Sequence, residues 1–180
     1  MIEYSTTRPV LFLDVDGCLN RHEPICDHVV SGVIRHDLVD ALNFVLEPTD
    51  AQIVLSSAWR YLVHREEMNV AGLSWLLRSH GIYNRLVGIT RADTMKVAAT
   101  KVVWTADLWK SFPTENERGQ QITDWLREHD HRSRYAVVDD LDLGIRAAGH
   151  PFVQTDGSRG ITENDAYELI RLLGRKETDL

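Results

Sequence analysis

Four consecutive apolar residues, Val10-Leu11-Phe12-Leu13, run without a break into Asp14-Val15-Asp16-Gly17. An uninterrupted apolar tetrad suits a strand buried on both faces, as in the middle of a parallel sheet. The same arrangement recurs along the chain. Ile53-Val54-Leu55 runs into Ser56-Ser57, and Tyr135-Ala136-Val137-Val138 runs into Asp139-Asp140. Leu86-Val87-Gly88-Ile89 is a weaker strand, and Pro151-Phe152-Val153-Gln154 is an edge strand because of its proline. Between these runs the apolar period changes to that of a helix. Leu38, Ala41, Leu42, Val45 and Leu46 recur at helical spacing, with Pro48 as the expected stop. Val70, Leu73, Leu76 and Leu77 form a second stripe, closed by Gly81. Thr114-Glu115-Asn116-Glu117 reads as a capping box opening a helix with Ile122, Trp125 and Leu126 on its buried face. A last cap at 162–165 starts a helix whose stripe is Ala166, Leu169, Ile170 and Leu173, ending at Gly174.

Strand alternating with helix predicts an α/β protein: a Rossmann-like, open, mainly parallel five-stranded sheet with helices on both faces. At 180 residues the chain is expected to be a single domain spanning 1–180. Two cysteines, Cys18 and Cys26, make no disulfide framework. The opening nine residues carry no basic stretch followed by an apolar one, and Asp14 and Asp16 break the first apolar run. The expectation is a cytoplasmic chain with no membrane association and no obligate protein partner.

In open parallel sheets, ligands bind beyond the carboxyl ends of the strands. Three strands here end in carboxylates or hydroxyls. Taken singly, Asp14-Val15-Asp16 suits a turn, Ser56 a helix cap, and Asp139-Asp140 a solvated loop. Taken together they suit chemistry. Clustered carboxylates raise one another's pKa and are compatible with a hard cation such as Mg²⁺, which also binds substrate phosphate. One aspartate can act as a nucleophile, and a second can protonate the leaving oxygen and then deprotonate water.

This pattern resembles the haloacid dehalogenase superfamily of phosphotransferases. Its first motif, Asp-x-Asp-Gly after a strand, is matched at 14–17, and its strand-ending Ser or Thr by Ser56. Its acidic pair after a later strand is matched by Asp139-Asp140. The family's basic residue near the start of the preceding helix is matched by Arg118, with Lys110 as the alternative; the family more often has Lys there. The resemblance implies a fold of this superfamily's type with a minimal cap. It also implies Asp14 as nucleophile and metal ligand, and Asp16 as general acid/base offering its carbonyl to Mg²⁺. Ser56 and Arg118 would hold the phosphoryl group, and Asp139 and Asp140 the metal. An acid at position 16 favours phosphate esters over halides, because an alkoxide leaving group needs a proton and a halide does not.

The longer signatures are Asp-Val-Asp-Gly-Cys-Leu-Asn at 14–20, Leu-Ser-Ser-Ala-Trp-Arg at 55–60 and Arg-Gly-x-x-Ile-x-x-Trp-Leu at 118–126. They look like the small phosphatase domains of multidomain RNA-repair proteins. That likeness implies an Mg²⁺-dependent phosphomonoesterase acting on a nucleic-acid 3′-phosphate end or a nucleotide. A small-metabolite phosphatase and a non-catalytic phosphate-binding module are the alternatives. Ser57, Trp59 and Arg60 are candidate substrate contacts. Trp59 either stacks on a base or packs under the sheet, and Arg60 either holds a second phosphate or ribose or pairs with a carboxylate.

Two stretches flank the site. Residues 17–35 are too short for a cap domain and suit a hairpin flap with Arg21 or His22 near the site. Residues 92–113 interleave Lys96, Lys101 and Lys110 with Trp104 and Trp109, suited to gripping a nucleic-acid strand or to forming a lid helix. Cys18, His22, Cys26 and His28 do not have the common zinc-finger spacings, so no zinc site is expected. The chain carries a net charge of −7, which argues against broad coating of nucleic acid. Yet residues 56–118 hold nine Lys and Arg against six Asp and Glu. The stretch expected to flank the substrate is therefore basic, as gripping one phosphorylated end requires.

Overall fold

The computed structural model describes residues 3–25, 28–31, 33–64, 66–83, 85–91 and 117–176. The strands are β1 (Val10–Leu13), β2 (His22–Ile25), β3 (His28–Ser31), β4 (Gln52–Leu55), β5 (Leu86–Ile89), β6 (Tyr135–Asp139) and β7 (Phe152–Gln154). The helices are α1 (His36–Thr49), α2 (Tyr61–His64), α3 (Val70–Ser79), α4 (Arg118–Glu128) and α5 (Glu163–Leu173), with a single 3₁₀ turn at Ala58–Arg60. Five strands form one sheet in the order β5-β4-β1-β6-β7, and every pairing in it is parallel. Strands β2 and β3 pair antiparallel as a separate two-stranded ribbon within 17–35. The expected insertion at 92–113 lies outside the described residues, as do Lys110 and Cys26.

Alternation along the buried strands explains the two layers of helices. Successive side chains point to opposite faces of a sheet. Leu11 and Leu13 of β1, with Ile53 and Leu55 of β4, join a cluster that includes Leu42 and Leu46 of α1, Leu73 and Leu77 of α3, and Leu169 and Leu173 of α5. Val10 and Phe12, with Val54 and Val137, face the other way, onto Ile122 and Trp125 of α4 and Ile145. All four residues of β1 are fully buried, as a strand covered on both faces requires.

Two helix ends differ from expectation. Pro48 does not stop α1 but sits in its last turn, and the stop comes from Asp50, in the left-handed region at φ 54°. Proline lacks an N–H donor and clashes with the turn before it, yet the helix continues for one further residue here. The capping box at 114–117 is not what starts α4. That helix begins at Arg118; its N-cap residue Glu117 makes no side-chain cap bond, and residues 114–116 lie outside the described residues. The α5 cap is as read: Thr162 accepts from Asp165 N–H, and the Asp165 carboxylate accepts from Thr162 N–H.

The first turn of α4 is fixed by contact between backbones. A Cβ on Gly119 would meet the Gly144 carbonyl oxygen at 2.3 Å and its carbon at 2.7 Å. His150 bridges Tyr135 and this turn, with Nδ1 3.0 Å from the Tyr135 hydroxyl and Nε2 2.8 Å from the Gly119 carbonyl oxygen. Gly119→Ala should therefore destabilise the protein by about 1–3 kcal/mol through overpacking, even though alanine favours an isolated helix by ~1 kcal/mol. Urea denaturation of the two proteins measures the sign.

Candidate active site

Register brings the chemistry into one row. Leu13 pairs with Leu55 on one side and Val138 on the other, so the next residues, Asp14, Ser56 and Asp139, stand level at the carboxyl edge. Backbone bonds continue the ladder there: Ser56 N–H donates to Leu13 at 2.8 Å, and Asp14 N–H to Val138 at 3.0 Å. Thr90 extends the row beyond β5. Its N–H bonds the Leu55 carbonyl, and its hydroxyl donates to Ser56 Oγ at 3.5 Å.

One oxygen each from Asp14, Asp139 and Asp140 falls within 4.8 Å of the other two. Asp14 and Asp139 are buried. Gly17 lets the loop after β1 close over this group. It lies at φ +76°, and a Cβ there would strike the Asp140 carboxyl at 2.6 Å. Arg118, at the first position of α4, reaches into the cluster. Its Nη1 donates to Asp139 Oδ2 and lies 3.4 Å from Asp14 Oδ1.

Burial and mutual repulsion govern the ionisation of these groups. Burial first, then the Asp139 charge, push Asp14 well above the ordinary carboxylate range, with Arg118 opposing them. Asp139 is raised by burial against the pull of Arg118. Asp140 is pushed up to about 6 by burial and by Asp139. Burial acts to lower Arg118, but Asp139 and Asp14 outweigh it and hold the guanidinium charged. Arg118 thus offers one positive charge to three carboxylates. A compact, buried, oxygen-only set with an excess of negative charge fits a hard divalent cation. Arg118 Nε is buried and has no hydrogen-bond partner among the described residues.

The remaining expected site residues are placed as follows. Ser56 and Ser57 are buried at the end of β4. The Asp16 carboxylate stands apart from the acidic trio, accepting at Oδ1 from Asn20 Nδ2 at 2.8 Å and from Trp59 Nε1 at 3.4 Å. Trp59 packs partly against the core. Arg60 is only 3 % exposed. Its terminal nitrogens donate to the Ser57 carbonyl at 2.8 Å and to Gln121 Oε1 at 2.9 Å, tying the 3₁₀ turn to α4. Burial, then the nearby Arg118, lower Arg60 to about 10. His22, at the base of the ribbon, places Nδ1 3.6 Å from Asp140 Oδ2, and its N–H donates to the Gly157 carbonyl at 2.8 Å. Thr90, Asn20 and Gln121 were not among the expected site residues. Thr90 follows a strand as Ser56 does, and that position was the available signal.

The acidic trio and the buried arginine lie at the carboxyl edge of a parallel α/β sheet, where such sheets bind their ligands. A family model described as the HAD domain in Swiss Army Knife RNA repair proteins matches residues 10–166. The chain belongs to that family and, through it, to the haloacid dehalogenase superfamily. No curated protein and no solved structure matches the chain. Among the described residues no helix is long and apolar enough to cross a membrane.

Removing Arg118 leaves Asp14 and Asp139 buried without their partner, a loss of about 3–5 kcal/mol for a buried pair. Arg118→Met should lower stability by that order in chelator, and added divalent cation should restore part of it. Denaturant melts with EDTA and with Mg²⁺ read both changes.

Proposed function

We propose that this protein is an Mg²⁺-dependent phosphomonoesterase that works through an aspartyl-phosphate on Asp14, with the 3′-phosphate end of a polynucleotide as substrate. The observation that carries the reading is the level row of Asp14, Ser56 and Asp139, with Arg118 beside two of them. A nucleophile, a hydroxyl donor and a cation facing one small volume is what in-line phosphoryl transfer needs.

Asp14, Asp139 and Asp140 would hold the cation, joined by the backbone carbonyl of Asp16. When bound, Mg²⁺ neutralises the carboxylates and draws charge from the phosphate oxygens. The chain's own groups perform the rest. Arg118 and the Ser56 hydroxyl orient the phosphoryl group; Arg118 Nε, buried and without a hydrogen-bond partner among the described residues, is a donor left for an anion. Asp14 attacks phosphorus, and Asp16 gives a proton to the departing oxygen. In the second half Asp16 takes a proton from water as water attacks the acyl-phosphate. The family description, with its RNA-repair context, and the basic stretch 56–118 support a polynucleotide end as substrate.

The test compares release of inorganic phosphate from a 3′-phosphorylated oligonucleotide with release from a panel of sugar phosphates and mononucleotides. The oligonucleotide should be preferred, and Asp14→Asn should reduce turnover to background. Asp16→Asn should slow turnover by roughly 10²–10⁴-fold, the range of general acid catalysis. Turnover that survives Asp14→Asn rules out the mechanism, and preference for a sugar phosphate rules out the substrate.

A further inference from the structure

Two N–H donors from different loops converge on a single oxygen of Asp16. Asn20 is fully buried, and the backbone sets the orientation of its amide. Its Oδ1 accepts from Gly17 N–H at 2.9 Å, which turns Nδ2 toward Asp16 Oδ1 at 2.8 Å. From the loop after β4, Trp59 Nε1 donates to the same Oδ1 at 3.4 Å. Trp59 is itself held in place: its N–H donates to Ser57 Oγ at 3.3 Å, and its ring packs against the apolar core. Among the described residues nothing bonds Asp16 Oδ2.

We propose that Trp59 and Asn20 are positioning residues that reserve Oδ2 of Asp16 for proton transfer, so that Trp59 serves the acid and not a stacked base. The inference rests on the phosphatase reading. A carboxylate oxygen that accepts two N–H bonds is the poorer base, so the proton rides on the other oxygen. In the first half-reaction an Asp14 oxygen bonds to phosphorus as the bond from phosphorus to the leaving oxygen breaks. The Asp16 Oδ2 proton passes to that leaving oxygen. In the second, water oxygen bonds to phosphorus, one water proton returns to Oδ2, and the Asp14–phosphorus bond breaks to release inorganic phosphate. The two bonds fix the carboxylate and keep the side chain from rotating.

A proton donor matters most when the leaving group is a poor one. The test measures kcat and KM for phenyl phosphate and p-nitrophenyl phosphate, which differ in leaving-group basicity and carry no base to stack. In Trp59→Phe, kcat for phenyl phosphate should fall roughly tenfold more than kcat for p-nitrophenyl phosphate, with KM little changed. Asn20→Ser should tilt the two rates in the same direction. Equal losses on both esters, or a change confined to KM, would overturn the proposal. If the wild-type protein hydrolyses neither ester, the positioning contact is judged by NMR, while the phosphatase reading stands or falls on the 3′-phosphorylated oligonucleotide. The Trp59 indole N–H resonance, assigned by its disappearance in Trp59→Phe, should move upfield in Asp16→Ala. A resonance that stays in place overturns the contact.

Discussion

The repulsion among three carboxylates at the edge of a sheet is the constraint to which the rest of the structure answers. Asp14, Asp139 and Asp140 sit where water is largely excluded, so each charge raises the cost of the next. The fold meets that cost by placing a guanidinium at the first position of α4, in contact with two of the three. The position of that helix start matters accordingly. Gly119 lets the turn lie against the Gly144 backbone, His150 holds its carbonyl, and Gln121 is tied through Arg60 to the end of β4. Features that look like ordinary packing are thus arranged around the placement of one cation.

The strands were legible because burial on both faces leaves a plain signature. Val10–Leu13 reads as continuous apolar sequence, and the structure buries all of it. Helix ends were less legible. Pro48 removes one N–H bond from the last turn, but only Thr49 follows it in the helix, and the left-handed Asp50 provides the actual stop. The capping sequence at Thr114 named a start that α4 does not use, since the helix begins at Arg118. Local capping chemistry is a weak competitor when tertiary contacts at Gly119 and Arg118 decide where the first turn lies.

The acidic residues were legible as a set because each stands at the carboxyl end of an apolar run, and parallel register carries that one-dimensional fact into space. The polar residues around them were not. Asn20 looks like any polar residue in a turn, and its bond to Asp16 appears only when Gly17 N–H fixes which way its amide faces. Arg60 follows a serine at the site, which suggested a contact with substrate. The structure shows its terminal nitrogens occupied by Ser57 and Gln121. Which of several neighbours a long side chain reaches depends on the 3₁₀ turn at 58–60, and sequence spacing does not encode that choice.

The central position of β1 has a consequence for how the protein comes into being. Of the five strands in this sheet β1 is made first, yet its two neighbours are β4 and β6, and Asp139 lies 125 residues beyond Asp14. A nascent chain emerging from the ribosome therefore carries Asp14 long before it carries Arg118 and Asp139. Until β6 and α4 dock, Asp14 is an ordinary solvated aspartate on an incomplete sheet. Loop closure over that separation is costly and comes late in folding. The acidic cluster thus assembles only once the chain has been made through β6, and a product that stops earlier carries the first motif without its partners.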